Sequence, residues 1–278
     1  MAPYSKPLKT FWQYIDERSA IFVAKHLGMP KPWTQDQILQ DWKFCNTIRD
    51  LDKSSEWFIE NMRDPHSLIK SQVLFDTILF RWFNIPETGE TIVQSGLNKT
   101  YNWDKQKLAD LIRKQPKKFS AAYRTKAPKG DKIDQTLAII DDFHAKMHRD
   151  HLPALHKTTT CQEAFDYLTT IPYFGEFNTY QFMLDLMQTS WADQWSDVET
   201  WCIVGPGGRR GLEWIHGREV NGKTYQHQAQ VECHLLWTKR PDHLLDYWVS
   251  DIQHNLCEWD KYNRVLNGGR MKAKYPGS

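Results

Sequence analysis

Arg209 and Arg210 stand side by side in GPGGRRGL (205–212), among glycines that let a backbone come close to a ligand. Each guanidinium presents a rigid fork of N–H donors, which suits phosphate oxygens. Gly205 and Gly207 are the positions assigned to that close approach, and a solvated surface turn is the alternative. Asp197, in QWSDVETW, offers a carboxylate that can stabilise developing positive charge or take a proton from an amine; equally, it can cap a helix. Glu258, Asp260, Lys261 and Arg264 fall within two helical turns. Lys261 can meet an anion there, or simply pair with Glu258 at i−3. Asn46, Arg49 and Asp50 share one face of an expected second helix, and Arg81 and Asn84 stand at i and i+3. Both sets either line a base pocket, together with Tyr123, or form internal polar networks.

A sharper local pattern is LTTIPYFGEFNTYQFMLDL (168–186). Helical spacing stops near Thr170, Ile171–Pro172 enters a tight loop, Gly175 permits a positive φ, and a new helix is expected around Asn178. Apolar-Pro-x-apolar-Gly before a helix is the pattern of a helix–hairpin–helix, in which Pro172, Gly175 and the positive end of the second helix hold a DNA phosphate. An ordinary αα-corner is the competing reading. Tyr173, Phe174 and Glu176 depart from the small, neutral hairpins usual in that motif.

The elements that must position these groups read as helices. Periodicity predicts one over 9–27, and Thr34 with Gln37 predicts a capped start to a second that continues through Leu39, Trp42, Phe44 and Ile48. Further helices are expected at 68–84, ended by Pro86, and at 103–115, 132–148, 160–170, 178–189, 225–237 and 241–265. Residues 119–133 read as a hairpin or an exposed loop, and 197–223 as a Gly-rich loop. The fold class is mostly α. One helical domain is expected over 1–278, with an N-terminal part to about 115, a part carrying the corner and site residues at about 132–265, and a loose tail at 266–278.

The chain has 278 residues, 40% hydrophobic and 25% charged, which is the composition of a globular protein rather than a disordered one. A net charge of +2 restricts any nucleic-acid footprint to a local patch. RKQPKK (113–118) and the Arg124, Lys126, Lys129, Lys132 run are the candidates, against the plainer reading of a solvated face. Thirteen Trp are unusual and supply either core or stacking surfaces. Five widely spaced Cys with no C-x-x-C point to reduced thiols. No Cys–His pair has zinc-finger spacing, so no metal is expected, and no cofactor either. No apolar run is long enough to cross a membrane, which predicts a protein of the cytoplasm, of a host cytoplasm if viral, or of a nucleus if eukaryotic.

Two resemblances extend this reading. The corner resembles that of helix–hairpin–helix base-excision glycosylases, in which a catalytic Asp follows the hairpin at a distance matched here by Asp197. Phe177 stands where some of those enzymes carry a Lys nucleophile, so Schiff-base lyase chemistry is not implied. More of the chain resembles the helical domain linked to phage 5-hydroxymethyluracil DNA kinases and the α-glutamyl/putrescinyl thymine pyrophosphorylases, also described as amino-acid:DNA transferases. The matching segments are PWTQDQIL (32–39), FCNTIRDLD (44–52), LFRWFNIPET (79–88), AYR (122–124), VGPGGRRGL (204–212) and LCEWDKYNRV (256–265).

That resemblance implies a glycosylase-like helical fold and a base flipped out of DNA that carries modified thymine. The implied reaction is displacement of pyrophosphate from the 5-methylene carbon by an amino-acid or polyamine nitrogen. No P-loop is expected anywhere in the chain, GPGGRRG being too short and lacking the Lys–Ser/Thr ending, so a P-loop kinase is not expected. Two alternatives stay open: a non-catalytic DNA-binding module that partners a separate kinase, and a glycosylase for a modified base.

Overall fold

The structure, a computed structural model, describes residues 10–120 and 129–270. Among them no β-strand forms, and the mostly-α class holds. Thr10 caps α1 (Phe11–His26) by accepting from the Gln13 N–H. The next helix, α2 (Gln37–Asp41), is capped by Asp36 rather than Thr34: Asp36 Oδ1 accepts from Leu39 N at 3.1 Å, while Thr34 binds Glu17 and the Asp36 N–H. Then α3 (Lys53–Phe58) runs on through a π-helical turn at Ile59–Arg63.

Asn84, in the left-handed region at φ 51°, ends α4 (Lys70–Phe83), so Pro86 does not end it. Pro86 instead opens α5 (Pro86–Ser95), where its missing N–H costs no hydrogen bond. Asp104 and Asp131 cap α6 (Lys105–Arg113) and α7 (Lys132–Lys146). A π-helical turn at Met147–His151 joins α7 to α8 (Leu152–Leu155). After it come α9 (Cys161–Thr169), α10 (Gly175–Leu186), α11 (Pro206–Ile215), α12 (Gln226–Thr238) and α13 (Val249–Leu266).

Within the loop expected at 197–223, Pro206–Ile215 is a helix. Gly205 occupies its N-cap with φ −70° and Pro206 is its first residue, a placement that preorganises a helix start.

Two compact units divide the chain. One comprises Met1–Asp52 with Glu199–Ser278, the other Lys53–Val198. In the second, α4 is buried from Gln72 to Phe83 on every side, its few polar side chains paired inside, so other elements must wrap it. Trp57 and Phe58 stack on Phe80, while Trp82 meets Phe174 and Phe182. In the first unit α13 is the axis. Trp259 and Tyr262 pack with Tyr14 of α1, and the Tyr262 hydroxyl donates to Asp36 at 2.8 Å. All thirteen Trp are buried or half-buried, so their surface goes to core rather than to exposed stacking platforms.

Candidate functional site

Residues 42–48 are not helical, and Asn46, Arg49 and Asp50 do not share a helical face: Asn46 lies in an irregular segment, Arg49 and Asp50 in a single 3-10 turn. The reason is that side chains from elsewhere take the backbone groups a helix would need. Arg18 of α1 donates to the carbonyls of Phe44 and Cys45. From α13, Glu258 accepts the Cys45 N–H at 3.2 Å, Asn255 donates to the Thr47 carbonyl at 2.7 Å, and Asp251 accepts the Arg49 N–H at 3.3 Å. Asn46 closes the loop on itself, its N–H meeting Asp52 and its side-chain amide the Leu51 carbonyl. A strap of irregular backbone is thus held rigidly against one helix, which is how functional side chains are positioned on loops.

The strap brings Asn46 and Arg49 into the same unit as Lys261 and Arg210. Lys261 donates to Glu258, a carboxylate with almost no exposure. Burial alone would raise Glu258, but Lys261, His254 and the Cys45 N–H outweigh it and hold the carboxyl below its usual range. Burial would likewise lower Lys261, and Glu258 beside it reverses the sign, so the ammonium is held above its ordinary value. Arg210 donates to buried Asp260 at 3.0 Å, where Arg264 and the Trp214 N–H also converge. Arg209 is engaged by the Val204 carbonyl and Gln226.

The glycines expected to cradle phosphate have a packing task. A β-carbon on Gly207 would meet Cys257 Sγ at 3.2 Å, on Gly208 Val204 Cγ1 at 2.9 Å, and on Gly211 the Leu256 carbonyl oxygen at 2.2 Å. Only glycine lets α11 approach α13 this closely. Gly205 meets nothing within 4 Å.

P-loop spacing does occur, in GREVNGKT (217–224) just after α11, which corrects the expectation that the chain carries no such motif. Its context is wrong for a nucleotide site, since a helix rather than a strand precedes it. Its donors are also taken. The buried Glu213 carboxylate accepts the N–H groups of Asn221, Gly222 and Thr224 and the Thr224 hydroxyl. An anion of the chain's own fills the nest.

In the other unit, α9 and α10 meet at the expected corner. Gly175 has φ +54°, as its sequence context predicts, but α10 begins there rather than at Asn178. Phe174 anchors the turn in a cluster with Trp82, Phe143 and Phe182, and Asn178 turns back to donate to the Tyr173 carbonyl. Pro172 and Tyr173 border a shallow groove with Gln135, Ile139 and Asp142. Tyr173 itself is exposed at φ 69°, a costly conformation for an aromatic residue.

Asp197 accepts the Cys161 N–H at the start of α9, so its carboxylate caps that helix across a long sequence gap. Arg81 makes a two-pronged, buried pair with Asp185 of α10 and reaches Asn84 at 3.3 Å. Tyr123, Arg124 and Lys126 lie outside the described residues. Among the described residues, no helix is long and apolar enough to cross a membrane.

Residues 5–270 match the family described as 5-hmdU DNA kinase, helical domain. One relative is the 5-hmdU DNA kinase of Bacillus phage SP10, 27% identical over 222 residues, which cover 72% of this chain and 34% of that protein. The chain thus spans about a third of the relative's length. No solved structure matches. With the match covering nearly the whole sequence, this chain belongs to the 5-hmdU DNA kinase helical-domain family.

Proposed function

We propose that this chain acts on DNA bearing 5-hydroxymethyluracil-derived bases, displacing pyrophosphate from the 5-methylene carbon with an amine nitrogen. In that step a C–N bond forms, the C–O bond to pyrophosphate breaks, and the amine gives up one proton. The observation that carries this reading is the strap at 44–52 braced on α13, which gathers Arg49, Lys261 and Glu258 in one unit. Cations held ready beside a fixed carboxylate suit a departing polyanion, because no reorganisation is needed when charge develops. The phage relative's name supports the choice of base. The α9–α10 corner is assigned to the DNA backbone, with Pro172 and Gly175 shaping the turn.

A second reading is favoured by one fact, that the chain matches only 34% of a kinase. It makes this chain a DNA-binding module for a separately encoded 5-hydroxymethyluracil DNA kinase.

The test is nucleoside mass spectrometry after incubating the protein with amino acids, polyamines and DNA carrying either 5-hydroxymethyluracil or its pyrophosphorylated form. An amine-bearing nucleoside with released pyrophosphate is the expected result. Free base instead means a glycosylase. Unchanged nucleosides with firm DNA binding replace the transfer reading with the module.

A further inference from the structure

Cys45 of the strap and His254 and Glu258 of α13 converge so that one sulfur, one ring nitrogen and one carboxylate oxygen all lie within 4.8 Å of one another. His254 and Glu258 are one helical turn apart, the i, i+4 spacing that sets two ligands on a single face. Cys45 reaches them because Glu258 also takes its backbone N–H. A second observation points to a missing partner. His254 is only 5% exposed, yet its Nε2 is buried and meets no hydrogen-bond partner. An unsatisfied buried ring nitrogen is costly, so in a native site it calls for an explanation.

We infer that Cys45, His254 and Glu258 form a binding site for a transition-metal dication of the zinc type. The donor set is right for such an ion: one thiolate, one neutral imidazole and one carboxylate. Two anionic ligands balance a dication, which makes the buried site electrically affordable. Tetrahedral bonds of about 2.0–2.3 Å need ligand atoms roughly 3.3–3.8 Å apart, so side-chain rotation of under about 1.5 Å closes the set. On binding, the Cys45 thiol releases its proton to solvent. The Lys261 ammonium, a third exposed, yields Glu258 to the metal and swings outward.

Three protein ligands leave a fourth position open, the arrangement of metal sites that bind water or a substrate oxygen rather than merely staple a fold. Metal binding and the Lys261–Glu258 pair are alternative states of one carboxylate, so metal uptake is read apart from turnover and its failure leaves the transfer reading untouched.

The full chain, stripped with chelator, would be titrated with Zn(II) and with Co(II). Bound metal is measured by mass spectrometry and thiolate ligation by the sulfur-to-cobalt charge-transfer band. Stoichiometric uptake with that band is the expected result. Cys45→Ser, which changes one atom of a half-buried side chain, should abolish the band and weaken uptake by more than the ~10–100-fold that loss of an outer partner costs. His254→Gln should weaken uptake similarly; should it fail to fold, the Cys45→Ser comparison decides alone. Absence of stoichiometric uptake by the wild-type chain overturns the proposal. So does a band of undiminished strength in Cys45→Ser, which would assign the thiolate to another cysteine.

Discussion

Gly211 faces Leu256 so closely that a β-carbon built on it would lie 2.2 Å from the Leu256 carbonyl oxygen and 2.8 Å from the carbonyl carbon. Both atoms are helix backbone, which cannot rotate away as a side-chain tip can. Gly211→Ala must therefore push α11 off α13, at a cost of ~3 kcal/mol in denaturant unfolding. Gly205→Ala has open space and an ordinary φ, and should cost well under ~1 kcal/mol. Equal losses at the two positions would show that the glycines serve something other than helix approach.

Arg81 and Asp185 form a buried, two-pronged pair between α4 and α10. Asp185→Asn leaves a guanidinium with an uncompensated charge in the core, which costs ~3–5 kcal/mol. The expectation is a large drop in melting temperature. A fully stable Asp185→Asn that loses only DNA recognition would return Arg81 and Asn84 to the base pocket.

Asp251 and Glu213 titrate with opposite consequences. Burial pushes Asp251 up to about 7, against the Arg49 and Trp248 N–H groups that it accepts and with Asp50 adding to the rise. Its folded state holds the proton more tightly than the unfolded chain does. The stability this gives is complete below the unfolded carboxyl value near ~4 and is lost as pH rises through about 7. Glu213 is the reverse case: burial raises it, but the Gly222 N–H, the Thr224 hydroxyl and two further N–H groups win and hold it low. Its contribution is present at neutral pH and is lost as pH falls through that depressed value. Unfolding measured between pH 4 and 8 should show the Asp251 decline, and Asp251→Asn should flatten it. A decline of the same size in that variant would place its source elsewhere.

Much of the helical layout was legible because periodicity is local, although the one cap read from the sequence, Thr34, gives way to Asp36. Thr10, Asp104 and Asp131 all stop a chain that then turns apolar every third or fourth residue. The strap was not legible. Phe44 and Ile48 continue a helical rhythm, and it takes partners outside the segment, Arg18 of α1 and Asn255 and Glu258 of α13, to withdraw the backbone groups. GPGGRRG misled for a related reason: glycines suited to a ligand are equally suited to a neighbouring helix, and Leu256 shows which use is made of Gly211. The Cys45, His254, Glu258 cluster carried one readable signal, the i, i+4 pair on α13, but its third member is remote in sequence.

Asp197 caps α9, and substitutions can separate that role from a catalytic one. Its carboxylate receives the Cys161 N–H and so completes the start of α9, beside a thiol that burial and Asp197 itself hold protonated. Asp197→Asn keeps an acceptor oxygen for that N–H and should leave stability and DNA affinity close to wild type. Asp197→Ala removes the acceptor and should cost ~1 kcal/mol, as lost helix caps do. If the carboxylate also handles charge during transfer, Asp197→Asn stops formation of the amine-bearing nucleoside while the protein stays folded and bound. Unimpaired turnover in Asp197→Asn, together with the stability loss in Asp197→Ala, would leave Asp197 as a cap alone. The carboxylate chemistry would then fall to Glu258, which is already held ionised beside Lys261.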